Sequence, residues 1–155
     1  MIFFKKKQSN IKKNEGSLQL NDSVTGLMNR EFSFKEHKRL KGWADYSAVS
    51  VRLTRCEDMP YGEAVGKIKE AGGLIARICR EDVSRLENGD FILFSENGKE
   101  VEERLKFFLG EMAKDGEIFA VCRDELDINE DFPTFIRRVQ RHLGVEEHNN
   151  RTQML

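Results

Sequence analysis

Val83-Ser84-Arg85-Leu86-Glu87-Asn88-Gly89-Asp90-Phe91-Ile92-Leu93-Phe94 has the pattern of a β-hairpin. Two apolar runs, Val83 to Leu86 and Phe91 to Phe94, flank the tetrad Glu87-Asn88-Gly89-Asp90. Asn-Gly is the favoured pair for a type I′ turn, because both central positions need positive φ. Upstream, Tyr61 to Arg80 places Tyr61, Ala64, Val65, Ile68, Ala71, Leu74, Ile75 and Ile78 at spacings of three and four, which predicts an amphipathic helix. Gly72-Gly73 sits inside it at a cost of roughly 1 kcal/mol per glycine, a cost that close packing against a neighbour would explain. Further upstream, Val49, Val51 and Leu53 alternate along a strand from Ala48 to Leu53, and Met28 to Leu40 reads as a helix with Asn29 as its cap. Downstream, Glu100 to Lys114 predicts a helix with Val101, Leu105, Phe108 and Met112 inward. Ile118 to Cys122 predicts a strand, and Phe132 to Leu143 a last helix with Phe132, Phe135, Ile136, Val139 and Leu143 inward. The order is α-β-α-β-β-α-β-α. One tight hairpin and two helical connections predict an α/β fold, with a central mixed, largely antiparallel sheet flanked by helices.

The 155 residues suffice for one domain with its own core, and 34% charged residues imply a heavily charged surface. A net charge of -1 gives no global drive towards nucleic acid, which is not an expected partner. No stretch approaches the roughly 20 apolar residues needed to span a bilayer. Cys56, Cys79 and Cys122 form no CxxC pair, so reduced thiols in a cytoplasm are expected, not a disulfide framework or a zinc site. Residues 1–20 read as a flexible basic tail, with Lys5, Lys6, Lys7, Lys12 and Lys13 before the first acid. The folded domain is expected over 21–145, and 146–155 as a polar, frayed tail.

Asp22-Ser23-Val24-Thr25-Gly26-Leu27-Met28-Asn29-Arg30-Glu31-Phe32 resembles the opening of a GGDEF domain, whose family form is D-x-L-T-G-L-x-N-R-x-x-F. Asp22, an aliphatic residue at Val24, Thr25, Gly26, Leu27, Asn29 and Arg30 agree, and Phe32 stands one position early. Tyr61-Gly62-Glu63-Ala64-Val65-Gly66-Lys67 is similar to Y/F-G-H-x-x-G-D, and Arg85 to Phe91 stands in the place of R-L/Y-G-G-D/E-E-F. The resemblance spans about residues 20 to 145. It implies a fold of the nucleotidyl-cyclase palm type and a place in bacterial cyclic di-GMP signalling. Active members of the family pair up, bind GTP with Mg²⁺ held by carboxylates, and join two GTP molecules into cyclic di-GMP.

The departures from the family fall on its chemical residues. In one register the signature loop is Glu87, Asn88, Gly89, Asp90 and Phe91, which puts a glycine in place of the metal acid and Glu87 against the triphosphate. Shifted by one residue, Asp90 becomes the acid, but Phe91 and Ile92 fall where Glu and Phe belong. On the first strand either Ser50 or Arg52 takes the place of the second metal carboxylate. The family's guanine-reading Asn and Asp correspond to Asp58 and Lys67, and an ammonium cannot accept the guanine N–H donors. Asp58 and Lys67 read more simply as a surface ion pair, and Arg52 as solvated charge at a strand edge. The R-x-x-D product-inhibition motif lacks its arginine in either alignment, Ile78 to Glu81 or Cys79 to Asp82. His37, His142 and His148 have no ligand spacing.

These residues imply a catalytically inactive GGDEF-like domain that acts as a binding or regulatory module, with no catalytic residue, metal or cofactor. Its partner is expected to be a signalling protein or a second copy of itself, and a nucleotide ligand stays open. Arg137, Arg138 and Arg141 on the last helix form a candidate docking patch. The alternatives are a diguanylate cyclase with an unorthodox site, using Mg²⁺ and GTP, and a membrane-associated scaffold acting through the Lys-rich tail.

Overall fold

The computed structural model describes residues 20–112 and 118–154. The basic tail expected over 1–20 lies outside the described residues, apart from Leu20. The elements are α1 (Arg30–Leu40), β1 (Ser47–Leu53), a 3₁₀ turn (Cys56–Asp58), α2 (Tyr61–Ile78), β2 (Ser84–Arg85), β3 (Asp90–Ser95), α3 (Gly98–Met112), β4 (Phe119–Glu125) and α4 (Phe132–Met154). Their order is the one the sequence predicts.

The four strands form one sheet in the order β2-β3-β1-β4, and each neighbouring pair is antiparallel. Helical connections such as α2 and α3 join strands that run the same way. Here each pair so joined is separated by a third strand, so two βαβ units interleave and the ladders stay antiparallel. The parallel character expected of a mixed sheet reduces to one isolated bridge, Met28 with Ser84.

The strand alternation sorts side chains onto two faces. Val49, Val51, Leu53, Phe91, Leu93 and Val121 pack with Ile68, Ala71 and Ile75 of α2 and Val101, Leu105 and Leu109 of α3. Ala48, Ile92, Phe94, Ala120 and Cys122 pack on the other face with Leu40 of α1 and Phe132, Phe135, Ile136, Val139 and Leu143 of α4. Each large aliphatic or aromatic side chain fully buried this way contributes about 1.5–3 kcal/mol. Asn29 caps α1 by accepting from Phe32 N at 3.0 Å. Gly72 answers the close approach expected within α2, since a Cβ there would meet Leu27, Phe91 and Thr25 at 3.2 Å. Gly73 faces open space.

Several details differ from the sequence reading. Tyr61 opens α2 but is 84% exposed, as Gly62 and Glu63 beside it are exposed, and the buried stripe of the helix begins only at Ile68. On α3 the inward stripe is Val101, Leu105 and Leu109, while Phe108 and Met112 stay largely exposed. The stripe steps by four throughout, which rotates Phe108 off the sheet. The segment 146–154, expected to fray, continues α4. Polar contacts described below hold it to the sheet. β1 is an interior strand, so Arg52 is not at a strand edge.

Candidate functional site

The hairpin turn, the C-terminal end of β1 and the start of β4 meet at one end of the sheet. Leu86 N donates to Asp90 O at 2.9 Å and Asp90 N to Glu87 O at 3.0 Å, closing the turn over Glu87-Asn88-Gly89-Asp90. Asn88 has φ +49°, but Gly89 does not lie in the left-handed region. The turn is therefore not type I′, which needs positive φ at both positions. Gly89 is required for space instead. A Cβ there would sit 2.7 Å from Cys56 Sγ and 2.8 Å from the Leu53 carbonyl oxygen. Leu53 N also donates to Gly89 O at 2.8 Å, which pins the turn against β1.

The Asp22–Arg30 segment clamps this turn from outside. Asp22 Oδ2 accepts from Thr25 N at 2.9 Å and Thr25 Oγ1 at 2.8 Å, and its Oδ1 pairs with Arg85 Nη1 at 3.2 Å. Gly26 turns the chain at φ +78°. Met28 N donates to Val83 O and Arg85 N to Met28 O, and Arg85 Nε reaches Asn88 O at 2.9 Å. Arg30 meets Glu87 at 3.5 Å in an exposed pair worth less than about 1 kcal/mol. The residues that carry the motif are thus the ones that fasten the signature hairpin to the N-terminal segment.

At the centre of this end lies Arg52. Its Nε and Nη2 donate to both oxygens of Asp90, at 2.7 Å and 3.0 Å, and its Nη1 donates to Glu147 Oε1 at 3.3 Å. Arg52 and Asp90 are cross-strand partners, and both point to the face that α4 covers. The hydrogen bonds it donates to Asp90 raise the Arg52 pKa further above its already high ordinary value, so it stays charged at every working pH. Ser50, the other first-strand candidate, is fully buried on the same face. Phe91 is fully buried beside Gly72, which fits the register that makes it the phenylalanine of the signature.

A Mg²⁺ ion needs several oxygen donors at about 2.0–2.1 Å, mostly carboxylates, phosphates and water. At this end the carboxylates are Asp90, with both oxygens bound by the Arg52 guanidinium, Glu147, with one oxygen on the same guanidinium, and the exposed Glu87, paired with Arg30. This donor set does not fit the metal. Among the described residues, no three His, Cys, Asp or Glu side chains gather as a metal site.

The remaining sequence candidates are scattered. Asp58 is exposed in the 3₁₀ turn, and Lys67 is half-buried near the start of α2. Arg138 is folded back: it bonds Glu130 at 2.7 Å and 3.0 Å, Asp124 at 3.4 Å and Glu125 O at 2.8 Å, and lies 5.6 Å over the Phe135 ring. Arg137 and Arg141 are exposed, with Arg137 touching Thr134 at 3.2 Å. Glu147 was missed in the sequence, because nothing in its polar surroundings marks it as a partner for β1. An open hollow of about 470 Å³ lies at the opposite end of the sheet. Asp45, Glu96, Glu100, Glu103 and Glu125 outnumber Lys99 and Arg123 in its lining, a charge balance that disfavours phosphate.

The diguanylate cyclase SiaD of Pseudomonas aeruginosa, solved with its activator SiaC, superposes with a TM-score of 0.70 at 15% identity, over 90% of this chain and 63% of that one. The chain has the fold of a GGDEF domain. The coiled-coil and GGDEF portion of DgcB from Caulobacter crescentus, solved with cyclic di-GMP, gives a TM-score of 0.69 at 13% identity, over 90% of this chain and 86% of that one. LapD of Vibrio cholerae, an S helix–GGDEF–EAL protein bound to cyclic di-GMP, gives 0.71 at 13% identity, over 91% of this chain and 38% of that one. No family model and no curated protein matches the sequence. The GGDEF fold is shared with these neighbours at 13–15% sequence identity. No helix among the described residues is long and apolar enough to cross a membrane.

Proposed function

We propose that this GGDEF-like domain is catalytically inactive and works in bacterial cyclic di-GMP signalling as a cytoplasmic binding or regulatory module. The observation that carries the reading is the Arg52–Asp90 pair. Diguanylate cyclase chemistry requires carboxylates free to hold Mg²⁺ against phosphate at this strand end. Here a permanent internal cation takes up the shielded carboxylate of the turn, Asp90, while the exposed Glu87 of the same turn pairs outward with Arg30, and a metal would have to displace the guanidinium. Asp58 and Lys67 stand where guanine would be read, with acceptor and donor roles inverted. No resident cofactor is needed for such a module.

Its partner is a signalling protein or a second copy of the chain. The complex of SiaD with its activator SiaC is a precedent for a protein partner in a protein that contains this fold. On α4 the exposed Arg137 and Arg141 would form the docking patch, with Arg138 positioned from inside by Glu130 and Asp124. Nucleotide binding without turnover is the second reading, supported by neighbours solved with cyclic di-GMP. Calorimetry with GTP and with cyclic di-GMP separates the two, alongside chromatographic detection of product in the presence of Mg²⁺ or Mn²⁺. A product peak above blank would restore the cyclase reading. Vesicle sedimentation with and without residues 1–13 tests the membrane scaffold, which this reading does not expect.

A further inference from the structure

The Arg52 guanidinium joins two segments far apart in sequence. Two of its nitrogens hold Asp90 at the edge of the signature turn, and the third holds Glu147 on the last turns of α4. Asp90 and Glu147 are both largely shielded, at 7% and 15% side-chain exposure, so these bonds are less screened than surface pairs. The helix backbone passes directly over the guanidinium, since a Cβ on Gly144 would lie only 3.8 Å from Arg52 Nη1. About one turn beyond Glu147, Asn150 Nδ2 donates to Phe119 O at 3.1 Å, tying the helix to the first residue of β4.

What holds this segment differs from what holds the rest of α4. Among the described residues Leu143 is the last of the helix in the apolar core, and Val145 beyond it is half-exposed. From Gly144 onward the described attachments to the sheet are polar. Segments held by few apolar contacts open locally at a fraction of the cost of global unfolding.

We propose that the turns of α4 from Gly144 to Asn150 form a detachable strap that couples the C-terminal end of the helix to the signature turn through Arg52. With the strap down, Glu147 fixes the guanidinium, and the guanidinium fixes Asp90, whose backbone closes the turn to Glu87 and Leu86. With the strap lifted, Arg52 loses one of its two acids and the turn loses part of its anchor. Anything that engages the end of α4 is then felt at the hairpin, and by linkage anything that engages the hairpin is felt at the strap. The coupling does not depend on whether the domain binds a protein or a nucleotide.

Hydrogen–deuterium exchange of the full chain, read by mass spectrometry, tests this. In Glu147→Gln, amides of 144–150 should exchange about tenfold faster, equivalent to about 1.4 kcal/mol of lost local protection. Amides of 86–90 should speed up at least threefold. Asn150→Ala, which leaves Arg52 untouched, should do the same by lifting the strap. Asp90→Asn should reciprocally speed exchange at 144–150. The far end of the sheet, 47–49 and 93–95, should stay within twofold of the wild type. A turn unmoved by Glu147→Gln and Asn150→Ala overturns the coupling. So does a uniform rise that includes the far end, which would mean general destabilisation.

Discussion

Adding a single carbon at Gly89 should separate the requirement for space from the requirement for a special backbone. A Cβ there would lie 2.7 Å from Cys56 Sγ, 2.8 Å from Leu53 O and 3.1 Å from Leu53 Cβ, well inside the 3.5–4.0 Å of ordinary carbon contacts. The thiol can rotate, but the Leu53 carbonyl belongs to the interior strand β1. Relief therefore means moving the turn away from β1, which strains the Leu53 N to Gly89 O bond of 2.8 Å. Overpacking costs about 1–3 kcal/mol and a weakened hydrogen bond about 1 more. Gly89→Ala should thus lose about 2–4 kcal/mol in urea unfolding, with Tm lower by roughly 5–10 °C. Gly89→Glu, which restores an acid at the third letter of the signature, should lose at least as much and still convert no GTP. Cys56→Ala in the Gly89→Ala background should recover less than half, because Leu53 O stays. Gly26 is the control: it needs φ +78° but has open space, so Ala there should cost about 1 kcal/mol and Asn less. Gly89→Ala within 0.5 kcal/mol of wild type, or product from Gly89→Glu, would refute the reasoning.

Arg52→Met strands two shielded acids and should destabilise by roughly 2–3 kcal/mol in denaturant melts, while Arg52→Met/Asp90→Leu should recover at least half of that. His37 is buried, stacked 4.5 Å from Phe135, and its pKa is lowered from 6.5 by desolvation first and Lys41 second. The unfolded chain therefore binds this proton more readily, and stability should fall as pH drops below about 6.5. In His37→Phe the loss between pH 7 and pH 5, followed by thermal melts, should be visibly smaller. Burial pushes the Cys56 thiol up to about 11 and those of Cys79 and Cys122 to about 12, so iodoacetamide at pH 8 should label none in the native protein and all three in guanidinium. Partner capture should weaken from low to high salt, and Arg137→Glu/Arg141→Glu should abolish it while leaving the melting curve within about 0.5 kcal/mol.

The elements and their order are legible in the sequence alone. Helical and strand periodicities are local, and so are the Asn29 cap and the Asn88-Gly89 turn, whose signals lie within a few residues of the structure they specify. The resemblance at Asp22–Arg30 and Glu87–Phe91 likewise foretold the GGDEF fold, because those residues clamp and close the hairpin that defines one end of the sheet. Tertiary structure decided what sequence spacing cannot encode. The interleaving of the two βαβ units put Arg52 on an interior strand opposite Asp90, which turned an expected solvated charge into the hub of an ion pair. The reach of α4 past Leu143 brought Glu147 over that hub, although its neighbours in sequence read as a polar tail. Gly89 is a glycine because Leu53 and Cys56 crowd it, not because of its own φ, and only the packing of β1 on the turn reveals that. In each case the deciding partner lies dozens of residues away, and pairwise electrostatics and sterics act through space, without regard to distance along the chain.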